Sequence, residues 1–582
     1  MKACRQSGLV FAVLVALAGS ARAQDSPASK SLHLGASLET QNLLRTPAPD
    51  TWQFIQQRNT VRLLADLSLL KDNNWQGPFS FLPKPDWLES AGGFLLYRGV
   101  YDSVYDINQS IPSKTDYRGL PVPPPSSNFN DLSSATRDAL KYENRLREAY
   151  VDLDFADGFM VRAGRQQIVW GVSDGFRVLD RANSLDLTWH QFQSIPPTDE
   201  SFDEIRVPTW MLLMRKNGLG FGDDKGSFAE VYWNPGDWNP NKVGFLPTPW
   251  GAQLANPLLP PGSTQQITLQ NGTQLGKQGD YTRDPAGNSQ VGVRIGTDRQ
   301  LCDQLTNCKL QGNLVYMYHR FTPWGGASTS AASLFQNTGA TPGLEFNAPY
   351  IHTLGLSLSY TPTLQTGITY PIPSAASLFQ QAYRLESTID FGVPYYHCGE
   401  GWTPSSGPQR CLPPGFDQQL PPTKNHTLWS GVLGADFLDP AGFGRFALSG
   451  QFFWTYLLDD DAKTLGSLDL PNFFSSTPTG GFQDDVRRWE VVTTLTPTMW
   501  FYGGRVRASM SYLLDWVNSY SQEAAWALGY TIYPGLMAEL SQRFFINPKH
   551  EVNYEPWGLG GLNRGRSETG IRLRYELPTV AY

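Results

Sequence analysis

Residues 148–155 read EAYVDLDF, and residues 505–514 read RVRASMSYLL. In both stretches apolar and polar side chains alternate, as in the triplet Val151, Asp152, Leu153. A period of two places successive side chains on opposite faces of an extended strand. These stretches therefore predict strands with one apolar and one polar face.

The same alternation recurs along the chain, for example at 61–69, 354–360 and 571–577. Soluble strands average about 5 to 6 residues, whereas strands of a membrane barrel need about 9 to 11, and these segments are of the longer kind. Tyr and Trp on the apolar faces, and Arg, Asp and Glu on the polar faces, match lipid-facing and lumen-facing sides. The sequence predicts an all-β fold, a transmembrane antiparallel β-barrel of about 16–18 strands.

One placement contains eighteen strands, near residues 31–40, 59–70, 93–104, 145–157, 158–167, 206–215, 226–233, 289–296, 310–321, 351–361, 382–392, 427–437, 444–457, 487–500, 504–516, 524–533, 536–545 and 567–577. Tight turns such as Ala156-Asp157-Gly158 and Tyr533-Pro534-Gly535 then all fall at one end of the barrel. Long connections such as 105–144 and 234–288 fall at the other end. Short periplasmic turns and long external loops are the arrangement of outer-membrane barrels. The long connections 71–92 and 362–381 do not fit this rule. Pro578 interrupts the last strand, and the final aromatic residue Tyr582 has the opposite parity to Tyr575, so either a bulge or a short tail is expected there.

The N-terminus has the pattern of a secretory signal peptide. Lys2 and Arg5 precede the apolar run 9–18, and Ala21-Arg22-Ala23 forms a small-x-small cleavage site. We therefore expect residues 1–23 to be a signal peptide and residues 24–582 to form a single barrel domain. An uncleaved anchor helix is disfavoured because the run is shorter than the roughly 20 residues that span a bilayer.

Composition supports a membrane protein and excludes nucleic-acid binding. Only 17% of the residues are charged and 13% are aromatic, and the formal net charge is −7. A basic footprint for nucleic acid is therefore lacking. The mean hydropathy of −0.34 is that of a soluble chain, because alternation averages the apolar and polar faces of each strand.

Four cysteines remain after the signal peptide, in the close pairs Cys302 with Cys308 and Cys398 with Cys411. An even number of locally paired cysteines in an exported chain favours small disulfide loops. The first pair is expected in a periplasmic turn and the second in an external loop. Neither pair has the spacing of a metal site, the histidines are scattered, and we expect no cofactor.

The most distinctive stretch is GRQQIVWGVSDGFRVLDR at residues 164–181. It begins on a strand and continues into a loop at 168–205, and a loop of that length is commonly functional. One hypothesis is that the loop folds into the lumen and lines a constriction, with candidates Arg165, Trp170, Asp174, Arg177, Asp180, Arg181 and Trp189. The alternative is that these charges pair with one another and brace the loop against the wall. The loop also contains G-x-S-x-G at 171–175, but the strand-turn-helix surroundings of a hydrolase elbow are not predicted here, and we expect no enzyme.

The polar faces predict a lumen with both signs of charge. The lumen-facing candidates are Arg62, Asp66, Glu148, Asp152, Asp154, Arg162, Arg384, Glu386, Arg505, Arg507, Arg572, Arg574 and Glu576. A mixed lining favours pairing across the lumen and disfavours a strongly ion-selective pore.

The motifs Gly164-Arg165-Gln166-Gln167, Val169-Trp170-Gly171, Asp174-Gly175 and Arg177-Val178-Leu179-Asp180, with Arg206-Val207-Pro208, resemble the signature of a Gram-negative outer-membrane β-barrel family described only as a domain of unknown function. The resemblance implies location in the outer membrane and a suspected role in transport of hydrophobic compounds. It also implies possible partners, namely a periplasmic lipoprotein and an inner-membrane transporter. Lipopolysaccharide, outer-membrane lipid and the barrel assembly machinery are expected partners of any such barrel.

Three functions are compatible with the sequence. The leading hypothesis is a channel that carries small hydrophobic or aromatic compounds across the outer membrane. The alternatives are a structural barrel that anchors a partner complex, and a secreted soluble β-rich protein that binds carbohydrate through its tryptophans.

Overall fold

The fold was analysed in a computed structural model of the whole chain. It describes residues 32–45, 53–71, 74–76, 80–108, 110–111, 114–115, 121–122, 127–128, 134–173, 177–187, 202–220, 226–238, 242–243, 253–255, 266–268, 276–278, 286–300, 306–321, 334–338, 341–346, 349–364, 381–396, 403–404, 411–412, 423–438, 446–459, 489–516, 522–546 and 567–581. The expected signal peptide, residues 1–23, lies outside these ranges.

Eighteen long strands form one antiparallel sheet that closes on itself. They are β1 Leu32–Arg45, β2 Gln53–Lys71, β3 Leu88–Asp102, β4 Tyr142–Phe155, β5 Phe159–Gln166, β6 Thr209–Asn217, β7 Phe228–Asn234, β8 Gln290–Gln300, β9 Thr306–Arg320, β10 Tyr350–Leu364, β11 Gln381–Tyr396, β12 Thr423–Leu438, β13 Phe446–Leu457, β14 Trp489–Phe501, β15 Val506–Asp515, β16 Gln522–Tyr533, β17 Leu536–Ile546 and β18 Glu568–Ala581. Each strand corresponds to one of the eighteen predicted segments, so the predicted all-β barrel is confirmed.

Each strand pairs with the next strand along the chain, and β18 pairs with β1 to close the barrel. β2 pairs directly with β3, and β10 with β11, so these four described strands are neighbours in the wall although long connections join them. The register of β18 on β1 shifts between the pairs Leu34–Val580 and Ala36–Leu577. This shift is a bulge, one of the two arrangements expected near Pro578; Tyr582 lies outside the described residues.

The two ends of the barrel differ in the length of their connections, as predicted. The periplasmic end has short turns, for example 156–158, 502–505 and 534–535, whereas the external end has connections such as 103–141 and 235–289. The described helices are α1 Val104–Ile107, α2 Ser134–Lys141 and α3 Phe202–Ile205, with 3-10 turns at Ala286–Asn288 and Tyr502–Gly504. Among the described residues, none of these helices has the length and apolar character needed to cross a membrane.

The other described strands are short. Asn74–Trp75 extends the end of β2 within the same sheet, and the rest pair with one another in the connections. They are Ser110–Ile111 with Ser127–Asn128, Lys114–Thr115 with Pro121–Val122, Asp186–Leu187 with Lys242–Val243, Gln253–Ala255 with Gln266–Thr268, Gly276–Gln278 and Leu334–Thr338 with Thr341–Phe346, and Thr403–Pro404 with Cys411–Leu412.

The barrel wall has an apolar outer face and a polar inner face. Outward side chains such as Leu314, 63% exposed, and Leu433, 55% exposed, alternate with buried inward side chains such as Ser430. Large apolar side chains exposed on the outer face occur around the wall and include Leu95, Trp210, Trp233, Ile295, Leu354, Phe391, Trp429, Phe452, Met510, Leu528 and Ile571. An apolar outer belt around a polar interior is the arrangement that a bilayer requires of a barrel.

Candidate functional site

The described parts of the connection 167–208 between β5 and β6 are packed against the inner face of the wall. We call these parts, residues 167–173, 177–187 and 202–208, the lumenal segment. Ile168 and Leu179 of this segment are buried with inward side chains of the wall, including Met211 and Met317. The wall residues with the opposite parity, Trp210 and Tyr316, are exposed on the outside. The lumenal segment therefore lies inside the barrel.

Asn183 ties the two ends of the lumenal segment together at the wall. Its side-chain oxygen accepts a hydrogen bond from the backbone N–H of Ile168 at 2.8 Å. Its amide nitrogen donates to the carbonyl oxygens of Gln166 at 3.2 Å and Val207 at 2.9 Å. Asn183 is fully buried, so its amide satisfies backbone groups that water does not reach.

One side of the lumenal segment is apolar and packs on β6 to β10. The Trp170 ring lies 5.0 Å from that of Tyr232, and its Nε1 donates a hydrogen bond to Glu230. The wall has glycine where the segment approaches most closely. A Cβ atom on Gly292 would stand 2.2 Å from Tyr232 and 2.9 Å from Trp170, and one on Gly355 would stand 2.2 Å from Leu179.

The inner face of β11 binds the lumenal segment through polar side chains. Glu386 accepts hydrogen bonds from the backbone N–H groups of Val172, Ser173 and Leu179, the last two at 3.0 and 3.2 Å. Asp390 accepts a hydrogen bond from Arg181 at 2.6 Å. Arg384 donates a hydrogen bond to the carbonyl of Val172, and the Thr388 hydroxyl accepts one from Arg181 at 3.4 Å. Asp390 also accepts a hydrogen bond from the Thr353 hydroxyl, which is in turn hydrogen-bonded to His319.

A cluster of charges inside the lumenal segment is paired. Arg206 donates to Asp180 through Nε and Nη2, and to Gln167 at 3.1 Å. Arg177 donates to the backbone carbonyls of Asp180 and Asn183. Burial lowers the pKa of Arg177 to about 10, so the guanidinium is still charged at neutral pH. These contacts brace the segment from within.

The helix α3 attaches the segment to the opposite part of the wall. Glu204 accepts hydrogen bonds from Arg62 of β2 at 2.9 Å and from Arg98 of β3 at 3.0 Å. Burial raises the pKa of Glu204, but Arg62, Arg98 and Arg147 outweigh it and bring the pKa down to about 2. The carboxylate is therefore ionised over the physiological range. With these contacts, the described lumenal segment reaches the inner face from β2 round to β11.

Aromatic rings and arginines line the inner wall nearer the periplasmic end. The Phe94 and Tyr150 rings are stacked 5.1 Å apart, and the Arg162 guanidinium lies 4.1 Å above Tyr150. Arg215 lies 4.0 Å above Phe228. We call the three rings Phe94, Tyr150 and Phe228 the inner aromatic strip. The strip is half-buried, unlike the fully packed Trp170.

A residue that lines a channel is expected to be exposed to the lumen, and the described candidates from the 164–181 motif do not have this position. Trp170, Arg177, Asp180 and Arg181 are all buried in contacts with the segment or the wall, which favours the bracing interpretation over direct contact with a solute. Arg165 pairs with Ala149 and with Trp210, which is 52% exposed on the outer face. The prediction that Arg165 lines the channel is therefore wrong, because the parity of β5 places Gln166 inward and Arg165 outward. Asp174 and Trp189 lie outside the described residues.

The predicted lumen-facing charges have inward parity with one exception. Arg505 lies exposed in the turn between β14 and β15, because β15 begins only at Val506. The inward candidates are Arg62, Asp66, Glu148, Asp152, Asp154, Arg162, Arg384, Glu386, Arg507, Arg572, Arg574 and Glu576. Several are paired, for example Arg162 with Asp152 at 2.7 Å and Arg572 with Glu539 at 3.0 Å.

The disulfide predictions concern side chains that the structure does not describe. Cys302 and Cys398 lie outside the described residues. The backbone of Cys308 belongs to β9, which begins at Thr306, so the prediction that this cysteine lies in a turn is wrong. The backbone of Cys411 belongs to a short external strand that pairs with Thr403–Pro404. Formation of both disulfides stays a prediction.

Several anchoring residues were not predicted from the sequence. They are Arg98, Arg147, Asn183, Glu204, Arg206 and Asp390. The sequence did contain a signal for the contacts of Trp170 and Leu179 with the wall. Gly292 and Gly355 occupy inward positions of otherwise regular strands, and a glycine inside a strand often marks the close approach of another part of the chain.

A closed antiparallel barrel with an apolar outer belt, a charged interior and a segment folded into its lumen defines a transmembrane β-barrel protein. The sequence matches the model of the family described as "Protein of unknown function (DUF1302)" over residues 9–545, and the chain belongs to this family. No curated protein matches the sequence.

Solved structures with a similar fold include Pseudomonas aeruginosa OccK2 (OpdF), at 10% identity and a TM-score of 0.40, covering 95% of this chain and 98% of that chain. Pseudomonas aeruginosa OpdK with vanillate has 9% identity and a TM-score of 0.39, covering 94% and 98%. Salmonella typhi OmpF in complex with daunomycin has 9% identity and a TM-score of 0.36, with the same coverage. Likenesses this distant do not bear on the function of this chain.

Proposed function

We propose that the protein is an outer-membrane channel for small hydrophobic or aromatic compounds and that the lumenal segment forms its constriction. The observation that supports this proposal best is the anchoring of the segment inside the barrel. Barrels of 16 to 18 strands are wide enough for an aqueous channel. A segment that contacts the inner face from β2 round to β11 narrows that space.

The inner aromatic strip supports the proposed substrate class. Phe94, Tyr150 and Phe228 present half-buried rings to the lumen, and Arg162 and Arg215 lie over two of them. Flat rings bind other flat rings by stacking. The charges around the strip are paired, as in Arg162 with Asp152, so the strip has no large excess of one sign that would select strongly for ions.

The proposal places the protein in the outer membrane of a Gram-negative bacterium, after export directed by residues 1–23. It includes assembly by the barrel machinery, contact with lipopolysaccharide, and cooperation with a periplasmic lipoprotein and an inner-membrane transporter. Membrane fractionation and heat-modifiable migration in gels test the location. Recovery of the native protein in the soluble fraction alone would contradict it.

Conductance in planar bilayers tests the channel and its constriction together. We compare the wild type with a variant that lacks residues 172–200 and with a control that lacks part of the external connection 458–488. We expect discrete conductance steps in the wild type, larger steps in the 172–200 deletion, and little change in the control. A folded wild type without conductance would favour the alternative, a structural barrel that anchors a partner.

Uptake into liposomes tests the substrate class. We expect faster entry of small aromatic compounds than of sugars of similar size, and we expect Tyr150→Ala and Phe228→Ala to reduce this preference. Arg507→Gln, which changes an inward residue on the distant strand β15, is the matched control. Equal entry of sugars and aromatic compounds would contradict the aromatic part of the proposal and leave the channel intact.

A further inference from the structure

Four successive inward positions of β11 contact the lumenal segment. Arg384, Glu386, Thr388 and Asp390 alternate along one face of the strand, and each has a polar contact with residues 172–181. Glu386 differs from the other three because it binds the segment at two places. One of its oxygens accepts from Val172 and Ser173, and the other accepts from Leu179.

The Glu386 contacts are mainly with the backbone of the segment, and the Ser173 hydroxyl adds a longer hydrogen bond to the carboxylate at 3.5 Å. Three N–H groups converge on one carboxylate that is fully buried. Removal of the carboxylate would leave the N–H groups of Val172, Ser173 and Leu179 without this acceptor, and a donor that loses its partner away from water no longer holds the chain in place.

The residues of the segment nearest Glu386 lie far from its wall strand in sequence, at separations of 207 to 214 residues. The contact therefore links the β5–β6 connection to a wall strand five places beyond β6 around the barrel. Gly171, next to the anchored N–H groups, lies against Asp180 and Glu386, and a Cβ there would stand 3.1 and 3.2 Å from them. The chain passes the carboxylate so closely that a side chain at position 171 would require its neighbours to shift by a few tenths of an ångström.

We propose that Glu386 is a positioning residue that sets the width of the channel by fixing residues 171–173 and 177–181 of the lumenal segment. This inference rests on the proposed function. According to this proposal, the size selectivity of the channel depends on Glu386, a residue of the wall, although the lumenal segment forms the constriction.

The first test compares Glu386→Ala and Glu386→Gln with the matched control Glu539→Ala. Glu539 is a buried inward carboxylate of β17, bound to Arg572. We expect Glu386→Ala to raise the single-channel conductance about twofold or more and to admit larger solutes, because pore diameter limits both. Glu386→Gln retains an acceptor oxygen and is expected to have a smaller effect. Conductance equal to that of the wild type in Glu386→Ala would overturn the proposal.

A second test holds the segment to the wall with an engineered disulfide in place of the Glu386 hydrogen bonds. This test distinguishes loss of positioning from general misfolding of the variant. A Cβ on Gly355 would lie 3.4 Å from Cγ of Leu179, a distance that suits a bridge between Leu179→Cys and Gly355→Cys. Both proteins in this comparison contain the two cysteines, and they differ only in whether residue 386 is Glu or Ala. Under oxidising conditions we expect the two bridged proteins to have the same conductance. Reduction of the bridge should release the segment again. Failure of the bridged Glu386→Ala variant to recover would show that Glu386 acts otherwise.

The rate at which the two cysteines cross-link provides a readout that does not require a channel. If the segment is held by Glu386, the bridge should form more slowly in Glu386→Ala than in Glu539→Ala, as measured by mass spectrometry of the linked peptides. A slower rate with a silent wild type would contradict the channel function and support the positioning role. Equal rates would overturn the positioning role whatever the conductance.

Discussion

At the scale of single residues, Glu204 is the anchor whose protonation state can be tested directly. Its carboxylate lies between Arg62 and Arg98, with 30% of the side chain exposed. Its pKa of about 2 is below the usual value of 4.5. A depressed pKa means that the charged form stabilises the folded state, fully above about pH 4.5, and that this contribution is lost as the pH falls towards 2.

We therefore expect Glu204→Gln to destabilise the folded protein by roughly 2 kcal/mol at neutral pH, after allowance for solvent screening. The difference in melting temperature between the wild type and Glu204→Gln should be constant from pH 8 to about pH 5. Below pH 4.5 the difference should shrink and approach zero near pH 2. Circular dichroism melts across this range measure it, and a difference that grows on acidification would contradict the assignment.

A second prediction concerns the glycine beneath Trp170. Gly292→Ala introduces a Cβ that would stand 2.2 Å from the Tyr232 ring and 2.9 Å from Trp170, and overpacking of this kind costs about 1–3 kcal/mol. The matched control is Gly35→Ala on β1, where the nearest atom would be 3.8 Å away. Denaturant titration should show a loss of stability for the first variant only; equal stabilities would show that the rings move aside without cost.

The residue types of the interior could be predicted from the sequence, but their partners could not. Alternation alone places Arg62, Asp152 and Glu386 on the inner face. It cannot show that Glu386 binds backbone N–H groups more than 200 residues away, because that contact depends on how the lumenal segment crosses a closed barrel. Arg165 illustrates the limit, since a shift of one position in a strand exchanges the two faces.

At the scale of elements, the lumenal segment is an insertion between two strands that pair directly with each other. β5 pairs with β6 from Phe159–Lys216 to Gln166–Thr209, and Asn183 binds the backbone on both sides of the point where the strands end. The wall is therefore complete without the segment, and the segment depends on the wall.

We expect Asn183→Ala to loosen the lumenal segment while the barrel stays folded, because three backbone groups lose a buried partner and each unpaired group costs about 1–3 kcal/mol. Trypsin should then cleave faster after Arg177 and Arg181, while the heat-modifiable migration of the barrel is unchanged. Asn59→Ala, on the outer face of β2, is the matched control. Loss of heat-modifiable migration in Asn183→Ala would show that the segment is required for the wall.

All eighteen strands could be placed from the sequence because period-two alternation reports directly on the two faces of a wall. Their ends were harder to place. β9 begins at Thr306 and β3 at Leu88, both earlier than predicted, because hydrogen bonding with a neighbour extends a strand beyond its alternating part. The strong turns at 156–158 and 534–535 were placed well because Gly and Pro define them locally.

At the scale of the whole molecule, the outer belt predicts how stability depends on depth in the bilayer. Leu433 is 55% exposed in the middle of β12, whereas Leu458 is 48% exposed just beyond the external end of β13. An arginine on the lipid face costs about 2–4 kcal/mol at the midplane and about 0–1 near the interface.

We therefore expect Leu433→Arg to lower the free energy of unfolding in lipid vesicles by about 2–4 kcal/mol and Leu458→Arg by less than about 1 kcal/mol. Urea titration followed by tryptophan fluorescence provides the measurement. Equal effects of the two substitutions would contradict the orientation of the wall, because both residues would then lie in the same environment.

Closure of the barrel was the least predictable property at this scale. A count of eighteen strands is compatible with a closed wall, but only the pairing of β1 with β18 shows that the first and last strands meet. The bulge at Pro578 could be predicted locally, whereas its position opposite Leu34 and Ala36 could not.

The link between Glu386 and residues 172–179 also restricts the order of assembly. It joins two points of the chain that are 207 to 214 residues apart, so it cannot form until β11 has been added to the growing sheet. A tie between β11 and the β5–β6 connection therefore spans the curved part of the sheet from β6 to β11 and limits how far that part can flatten. The lumenal segment is therefore placed to help shape the wall that surrounds it.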